Sequence, residues 1–426
     1  MSQSASFGGF RRAMANRDYA IFTVGNFICM AGDWLQRVAV GWLTWKLTGS
    51  ATWLGIIAFA DLAPSMIIAP LAGAYADRFD RIRFTRVTNN FALIEAVALA
   101  ALFYLGVLDI WILLALTLYL GIVNALGQPS RLALVPSLLP PEDVVPAIAI
   151  NSIIFNIARF AGPAAAGVII ANADVGLAFI VNAFAVLGFS ISLSALRTKQ
   201  DIPTRPRESK VIDEIKEGLF YVIAHPGIGP AMLLLIVSST LSRPIIDLFP
   251  GFAAQVFGRG PEALAAMTST IGLGALAGAV WLVMRPSIKG LTAFAINFVV
   301  VVALGLLAFT ATDNFFLAIP FLFITGAGFS ISASGVLTLV QSAVAPDMRG
   351  RVMSLYGIIF RGGPAFGALV MGWFASMLGF RLPVAAASVI CIVMWMLSLR
   401  RLRVMSRSLE TTPSPEPSLD PPSAPR

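Results

Sequence analysis

Long apolar runs separated by short polar stretches dominate the chain. They fall near 19–46, 52–76, 85–106, 110–137, 143–172, 174–196, 227–252, 262–285, 290–311, 314–344, 349–378 and 380–400. Each is at least as long as the roughly 20 apolar residues a helix needs to cross a bilayer. None shows the ten-residue alternation of a membrane strand, which argues against a β-barrel. The pattern therefore predicts an all-α membrane protein with twelve transmembrane helices. The longest polar interval, 197–226, opens with the Pro-broken "RTKQDIPTRPRESK". In the following "VIDEIKEGLFYVIAH", Val211, Ile215, Leu219 and Val222 recur at helical spacing. That predicts an amphipathic helix lying on the inner membrane surface. The interval divides the chain into two six-helix bundles, 19–196 and 227–402, flanked by an N-terminal tail, 1–18, and a Pro/Ser-rich tail, 403–426, expected to be disordered.

Composition agrees with lipid as the solvent. Of 426 residues, 58% are hydrophobic and only 12% charged, about half the charge of a soluble domain. The net charge of +8 is unevenly distributed. Arg11, Arg12, Arg17, the group Arg78–Arg86, the group Arg197–Lys216, Arg285, Lys289, Arg349, Arg351 and the group Arg400–Arg407 fall on one side; Lys46, Arg259 and Arg381 fall on the other. The positive-inside rule then puts both termini in the cytoplasm, which needs an even number of spans. This asymmetry accounts for the charge without a nucleic-acid partner. The opening "MSQSASFGGFRRAMANRD" reads as a retained cytoplasmic tail. Cys29 and Cys391 lie inside apolar runs and read as packing residues. The single histidine, His225, lies in a loop, and neither HExxH nor GxxxxGK[ST] occurs. No metal site, cofactor or catalytic constellation is expected, so an enzyme is the least favoured class.

The two halves carry a related element. "NSIIFNIARFAGPAAAG" (151–167) and "MSLYGIIFRGGPAFG" (353–367) each have a Ser, an Arg seven residues on, then Gly-Pro and another Gly. Ser152 and Arg159 match Ser354 and Arg361 at one constant offset, in the fifth and eleventh spans, as a six-helix duplication would place them. Gly162, Pro163 and Gly167, with Gly363 and Pro364 in the second copy, are candidates for helix bending and close packing.

The loop after the second span reads "GAYADRFDRIR" (73–83). Gly73, Asp77, Arg78, Arg81 and Arg83 resemble the G-x-x-x-D-R-x-G-R-R signature of the major facilitator superfamily. Asp80 stands where the pattern has Gly, and Asp tolerates the left-handed turn the Gly would serve. The stretches 124–167 and 346–369 are similar to the branch that includes the enterobactin exporter and related drug-efflux permeases. The resemblance runs from about residue 15 to 400. It implies the major facilitator fold and no cofactor, with the first, fourth, seventh and tenth helices around a central cavity. Gly73, Asp77, Arg78, Arg81 and Arg131 are candidates for a cytoplasmic latch, Asp77 lying against the start of the eleventh helix near Arg349. A purely topological basic loop is the other reading. The Gly-Pro element resembles one associated with proton-linked antiporters, and tight packing explains it equally well.

Nine charged residues sit inside the runs: Asp33, Arg37, Asp61, Glu95, Arg131, Arg159, Arg243, Asp247 and Arg361. Each costs at least about 2.5–3.5 kcal/mol in mid-membrane, so they should face one another or a wet cavity. Asp33 and Arg37 are four apart, as are Arg243 and Asp247, and each pair is expected on one helical face. Arg159 and Arg361 are candidates to neutralise Asp33, Asp61 or Asp247. For proton coupling the order is Asp33, Asp61, then Glu95, because the third helix lies outermost in this fold. A permanently ionised salt bridge remains an equal reading of Asp33. Arg131 is expected to snorkel or to join the latch. Ser152, Asn156, Arg159 and Pro163 form one stripe expected to point inward. Asn26, Trp34, Asn124, Asn156 and Gln341 complete the expected cavity.

These readings lead to a monomeric alternating-access transporter of the bacterial inner membrane that exports a small amphipathic molecule, such as a drug or siderophore, against inward protons. Its partners would be that substrate, protons and membrane lipids. Uptake or flipping of a metabolite or lysophospholipid stays open, as does a transport-dead sensor or scaffold.

Overall fold

The computed structural model describes residues 7–76, 80–197, 211–285 and 287–410. The helices are α1 (Phe7–Ala15), α2 (Arg17–Thr48), α3 (Ala51–Ala76), α4 (Arg81–Tyr104), α5 (Ile110–Ser137), α6 (Val144–Asn172), α7 (Val175–Ser194) and α8 (Val211–Ala224). They continue with α9 (Ile228–Leu241), α10 (Ile245–Gly251), α11 (Pro261–Val283), α12 (Leu291–Ala311), α13 (Phe315–Ala343), α14 (Arg349–Leu378), α15 (Arg381–Leu399) and α16 (Leu402–Leu409). Short polar side chains set several starts by accepting backbone N–H groups that the first turn leaves unpaired. Asn16 accepts from Tyr19, Asp109 from Ile112 and Asp174 from Leu177. Asp80 does the same for α4, its Oδ1 lying 2.6 Å from the Arg83 nitrogen. It does so at φ −58°, so it is a helix cap and not the left-handed turn residue its place in the motif suggested.

Among the described residues, eleven helical segments are long and apolar enough to cross a membrane, with Ile228–Val256 counted as one. Although α2 is 32 residues long, it falls outside that set. Asn26, Asp33, Gln36 and Arg37 dilute its hydropathy. The seventh expected span is broken. Its first part, α9, ends at Leu241, and α10 begins after Pro244, whose ring removes an N–H and disfavours a helical residue before it. One π-helical turn, Phe252–Val256, follows α10. Arg243 and Asp247 therefore do not share one continuous helical face, contrary to the reading from their spacing.

The segments outside the spans also fold. Helix α1 lies against α6, with Ala13 fully buried and Arg12 3.2 Å from Asp143. Helix α8, expected on the membrane surface, docks on the start of α14. Glu217 pairs with Arg351 at 2.8 Å, and the Tyr221 hydroxyl accepts from the Ala345 nitrogen at 3.2 Å. Helix α16 takes in residues 403–409, expected to be disordered, and buries Met405 and Leu409 against α9, α12 and α13. Glu410 then caps α12, accepting from the Gly290 and Thr292 nitrogens at 2.7 and 2.9 Å.

Helices α2–α7 pack mainly on one another, as do α9–α15, and the long contacts α3–α14 and α6–α11 join the two sets. We call the helix ends near the arginine-rich loops the basic end and the other the far end. Towards the far end one apolar cluster runs through both sets, from Leu35, Trp42 and Phe179 to Phe249, Phe252 and Val384. There Trp45 of α2 meets Phe380, edge to face, at 5.7 Å. Towards the basic end the core separates into two clusters. One, around Tyr19, Phe22 and Leu134, belongs to the first set, and the other, around Ile228, Val299 and Tyr356, to the second. Small residues allow the far-end approach. A Cβ on Gly372 of α14 would sit 2.5 Å from the Ala51 carbonyl oxygen, and one on Gly162 2.5 Å from that of Ala31. Helices α6 and α14 continue through the buried Pro163 and Pro364.

Gly372→Val overfills the α3–α14 contact, an effect of about 1–3 kcal/mol. The purified variant should unfold several degrees below the wild type in a thermal melt, and an unchanged midpoint would contradict the packing described.

Candidate functional site

Two adjoining chambers, about 190 and 240 Å³, lie between the helix sets, and both are lined by Asp33, Trp34, Arg37, Asp61 and Asn124. The smaller extends towards the far end, to Gly41, Leu54, Pro250 and Leu264. The larger extends towards the basic end, to Asn26, Arg131 and Asn151. Elements α2, α3, α4, α5, α10 and α11 line the smaller chamber. Helix α13, the expected tenth span, supplies none of the residues lining either chamber.

Arg37 sits at the junction. One guanidinium nitrogen is 3.3 Å from Asp61 of α3, and another donates to Asp247 of α10 at 3.1 Å. One cation thus bridges two carboxylates from the two helix sets. The expected Asp33–Arg37 pair does not form. Asp33 faces Arg131 of α5 at 3.9 Å. Residues four apart on a helix can meet, but Asp61 and Asp247 offer Arg37 two carboxylates across the chamber. Arg131 in turn donates to the Asn26 side chain at 2.5 Å and lies 4.7 Å from the Phe189 ring centre. It turns into the chamber, where snorkelling or a latch had been expected.

Glu95 is 2% exposed. Both its oxygens accept from the Gln36 amide at 3.1 Å, and Gln36 accepts from Asn182 at 2.5 Å. Helix α4 does show an exposed apolar face, with Phe91, Ile94 and Val97. Glu95 points the other way and lines the smaller chamber. Gln36 and Asn182 were not singled out in the sequence; a long amide in mid-run was the available signal.

Of the five arginines inside the spans, Arg159, Arg243 and Arg361 have no carboxylate within ion-pair distance among the described residues. Arg159 lies over Trp34, 5.6 Å from the ring centre, and Arg37 approaches the same ring at 5.7 Å. Arg361 lines the larger chamber. Arg243 donates to the Phe360 carbonyl at 3.3 Å and lies 4.3 Å from its ring. Neither Arg159 nor Arg361 makes the expected direct pair with Asp33, Asp61 or Asp247, though Arg361 shares the larger chamber with Asp33 and Asp61.

Asn26, Trp34 and Asn124 line the chambers, as expected. Asn156 and Gln341 do not: Asn156 donates to the Ser152 carbonyl of its own helix, and Gln341 is exposed. Gly162 packs on α2, and Gly167 meets Ala265 of α11. Gly363 meets Ser239 of α9. Of the latch candidates, Gly73 lies near the end of α3 and Arg81 opens α4, while Asp77 and Arg78 lie outside the described residues.

Known proteins resemble this chain in sequence and in fold. The staphyloferrin A transporter of Staphylococcus aureus is 30% identical over 163 residues, 38% of this chain and 41% of its own. The match thus spans less than half of that relative. The enterobactin exporter of Salmonella typhimurium is 26% identical, over 81% of this chain and 80% of its own. Among solved structures, a bacterial homologue of the human lysosomal transporter Spinster, inward-facing and unoccupied, superposes with a TM-score of 0.71 at 13% identity. That match covers 96% of this chain and 100% of the other, and it speaks for the fold. The family described as transmembrane secretion effector matches residues 10–424. With that match added to the helical bundle, the chain belongs to this family of membrane transporters within the major facilitator superfamily.

Proposed function

We propose that the protein is a proton-coupled exporter of the bacterial inner membrane, with both termini cytoplasmic, moving a small amphipathic molecule by alternating access between two lobes. The observation that carries this reading is Arg37 held between Asp61 and Asp247. It is an ionic tie between the two helix sets, at the junction of two chambers and beside an apolar far-end seal. The basic end is the cytoplasmic one by the positive-inside rule, so the larger chamber loads from the cytoplasm.

Alternating access then needs two events. The far-end cluster must part, and Arg37 must release one carboxylate. Neutralising Asp61 or Asp247 with a proton weakens the tie, because an arginine gains far less from a neutral acid than from a carboxylate. An anionic substrate drawing on Arg37 would loosen the tie first; a proton taken from the outside once the far end has parted would keep it loose for the return, and its release to the cytoplasm would restore it. Asp33 stays first among the proton carriers: it faces both chambers, and its cation is 3.9 Å away, beyond a close hydrogen-bonded pair. Asp61 is second through its direct bond to Arg37. Glu95 with its amide chain is third.

The substrate chemistry follows from the charges left over. Among the described residues Arg159 and Arg361 have no carboxylate within ion-pair distance, and the Trp34 ring lies beside Arg159 and the paired Arg37. An aromatic face with an unpaired guanidinium on it suits an amphipathic molecule with a carboxylate, phenolate or sulfonate. The siderophore and drug transporters among the relatives agree with a secreted small molecule. The protein is taken to work as a monomer.

Two results test this. In vesicles loaded with a pH dye, anionic amphipaths from a compound panel should evoke counter-movement of protons through the wild type. Asp33→Asn should abolish that response at normal membrane abundance, and an undiminished response would remove Asp33 from coupling. In a background lacking Cys29 and Cys391, Leu264→Cys should react slowly with an impermeant maleimide applied from the far side. Adding Arg37→Gln should speed that reaction several-fold, and an unchanged rate would separate Arg37 from the seal.

A further inference from the structure

A space wider than either central chamber lies away from the centre. It is a groove of about 690 Å³ at the basic end of the second helix set, bounded by α8, α9, α14 and α15. Its walls are apolar, with Ile223 of α8, Leu233 of α9, Ile359 of α14 and Met394 of α15. Among the described residues its charged lining is Arg400 and Arg401, joined by Ser398, with no carboxylate, and neither arginine has an ion-pair partner. Both are exposed.

Position gives this chemistry a meaning. Arg400 directly follows α15, the last apolar span, so the two guanidiniums lie where the hydrocarbon gives way to headgroups. The groove below them has a volume within the roughly 300–1,000 Å³ of small-ligand sites. Helix α8 borders it, with Phe220 and Ile223 exposed at 73% and 68%. Outward apolar side chains on an amphipathic helix fit the interface plane of a bilayer.

We propose that this groove is a binding site for one anionic phospholipid, its acyl chain between α9, α14 and α15 and its phosphate on Arg400 and Arg401. Bulk lipid would wet the apolar walls without preference. The paired, uncompensated arginines at the mouth select negative charge, as basic pockets between helices on the cytoplasmic side do. A zwitterionic lipid brings its own cation to the same place. The site also touches a moving part: α8 is tied to the start of α14 by Glu217–Arg351 and Tyr221–Ala345, and α14 packs along α3. An occupant therefore braces the basic end of the helix that joins the two sets.

The test is native mass spectrometry of the full chain released from nanodiscs of equal phosphatidylglycerol and phosphatidylcholine. The wild type should retain one phosphatidylglycerol in preference to phosphatidylcholine. Arg400→Gln with Arg401→Gln should cut that preference by roughly tenfold or more, the order expected for two basic residues at an anionic surface. The double lysine variant should keep most of it. Ile359→Trp, which fills the groove and spares the arginines, should lose the retained lipid while keeping the thermal midpoint. Equal retention of the two lipids by the wild type would overturn the proposal. So would unchanged phosphatidylglycerol retention in the double glutamine variant, or in Ile359→Trp.

Discussion

A charge inside a bilayer-spanning bundle needs an opposite charge, a dipole or water, and this requirement organises the centre of the protein. Arg37 answers it by reaching two carboxylates at once, Asp61 and Asp247. Breaking a buried pair by removing one partner is far more costly than forming it is favourable. Such a tie therefore acts less as glue than as a switch: it is firm while all three charges persist and weak once one is neutralised. The far-end apolar cluster supplies the non-directional part of the closure. The tie supplies the part that chemistry can reverse.

The remaining polar groups follow the same rule by different means. Glu95 has no cation beside it and is served by the Gln36 amide, itself bonded to Asn182. Arg131 divides its donors between Asn26 and Asp33. Arg243 uses a backbone carbonyl and an aromatic face. Arg159 leans on Trp34. The interior thus holds well-served charges around the junction and under-served guanidiniums near the chambers.

Much of the fold was legible in the sequence because bilayer thickness imposes run lengths that local reading can detect. The exception was the seventh span, where Pro244 interrupts a run that hydropathy alone reads as continuous. The charge pairs were not legible. Spacing of four residues reports geometry within one helix, whereas Arg37 and Asp247 lie 210 positions apart and Arg131 and Asn26 lie 105 apart. The same limit applies to Asp80, whose place in a motif suggested a turn and whose side chain caps a helix. Residues 403–409 looked like the start of a tail because only Met405 and Leu409 need burial there, and their receiving surface is built by α9, α12 and α13.

In the proposed cycle the Arg37–Asp247 contact holds the two helix sets together at the far end. Spin labels at Leu47 and Leu378, both exposed near that end, would report it through the distance between them in lipid nanodiscs. Asp247→Asn should add a longer-distance population absent from the wild type at neutral pH. Identical distance distributions for the two proteins would contradict the account.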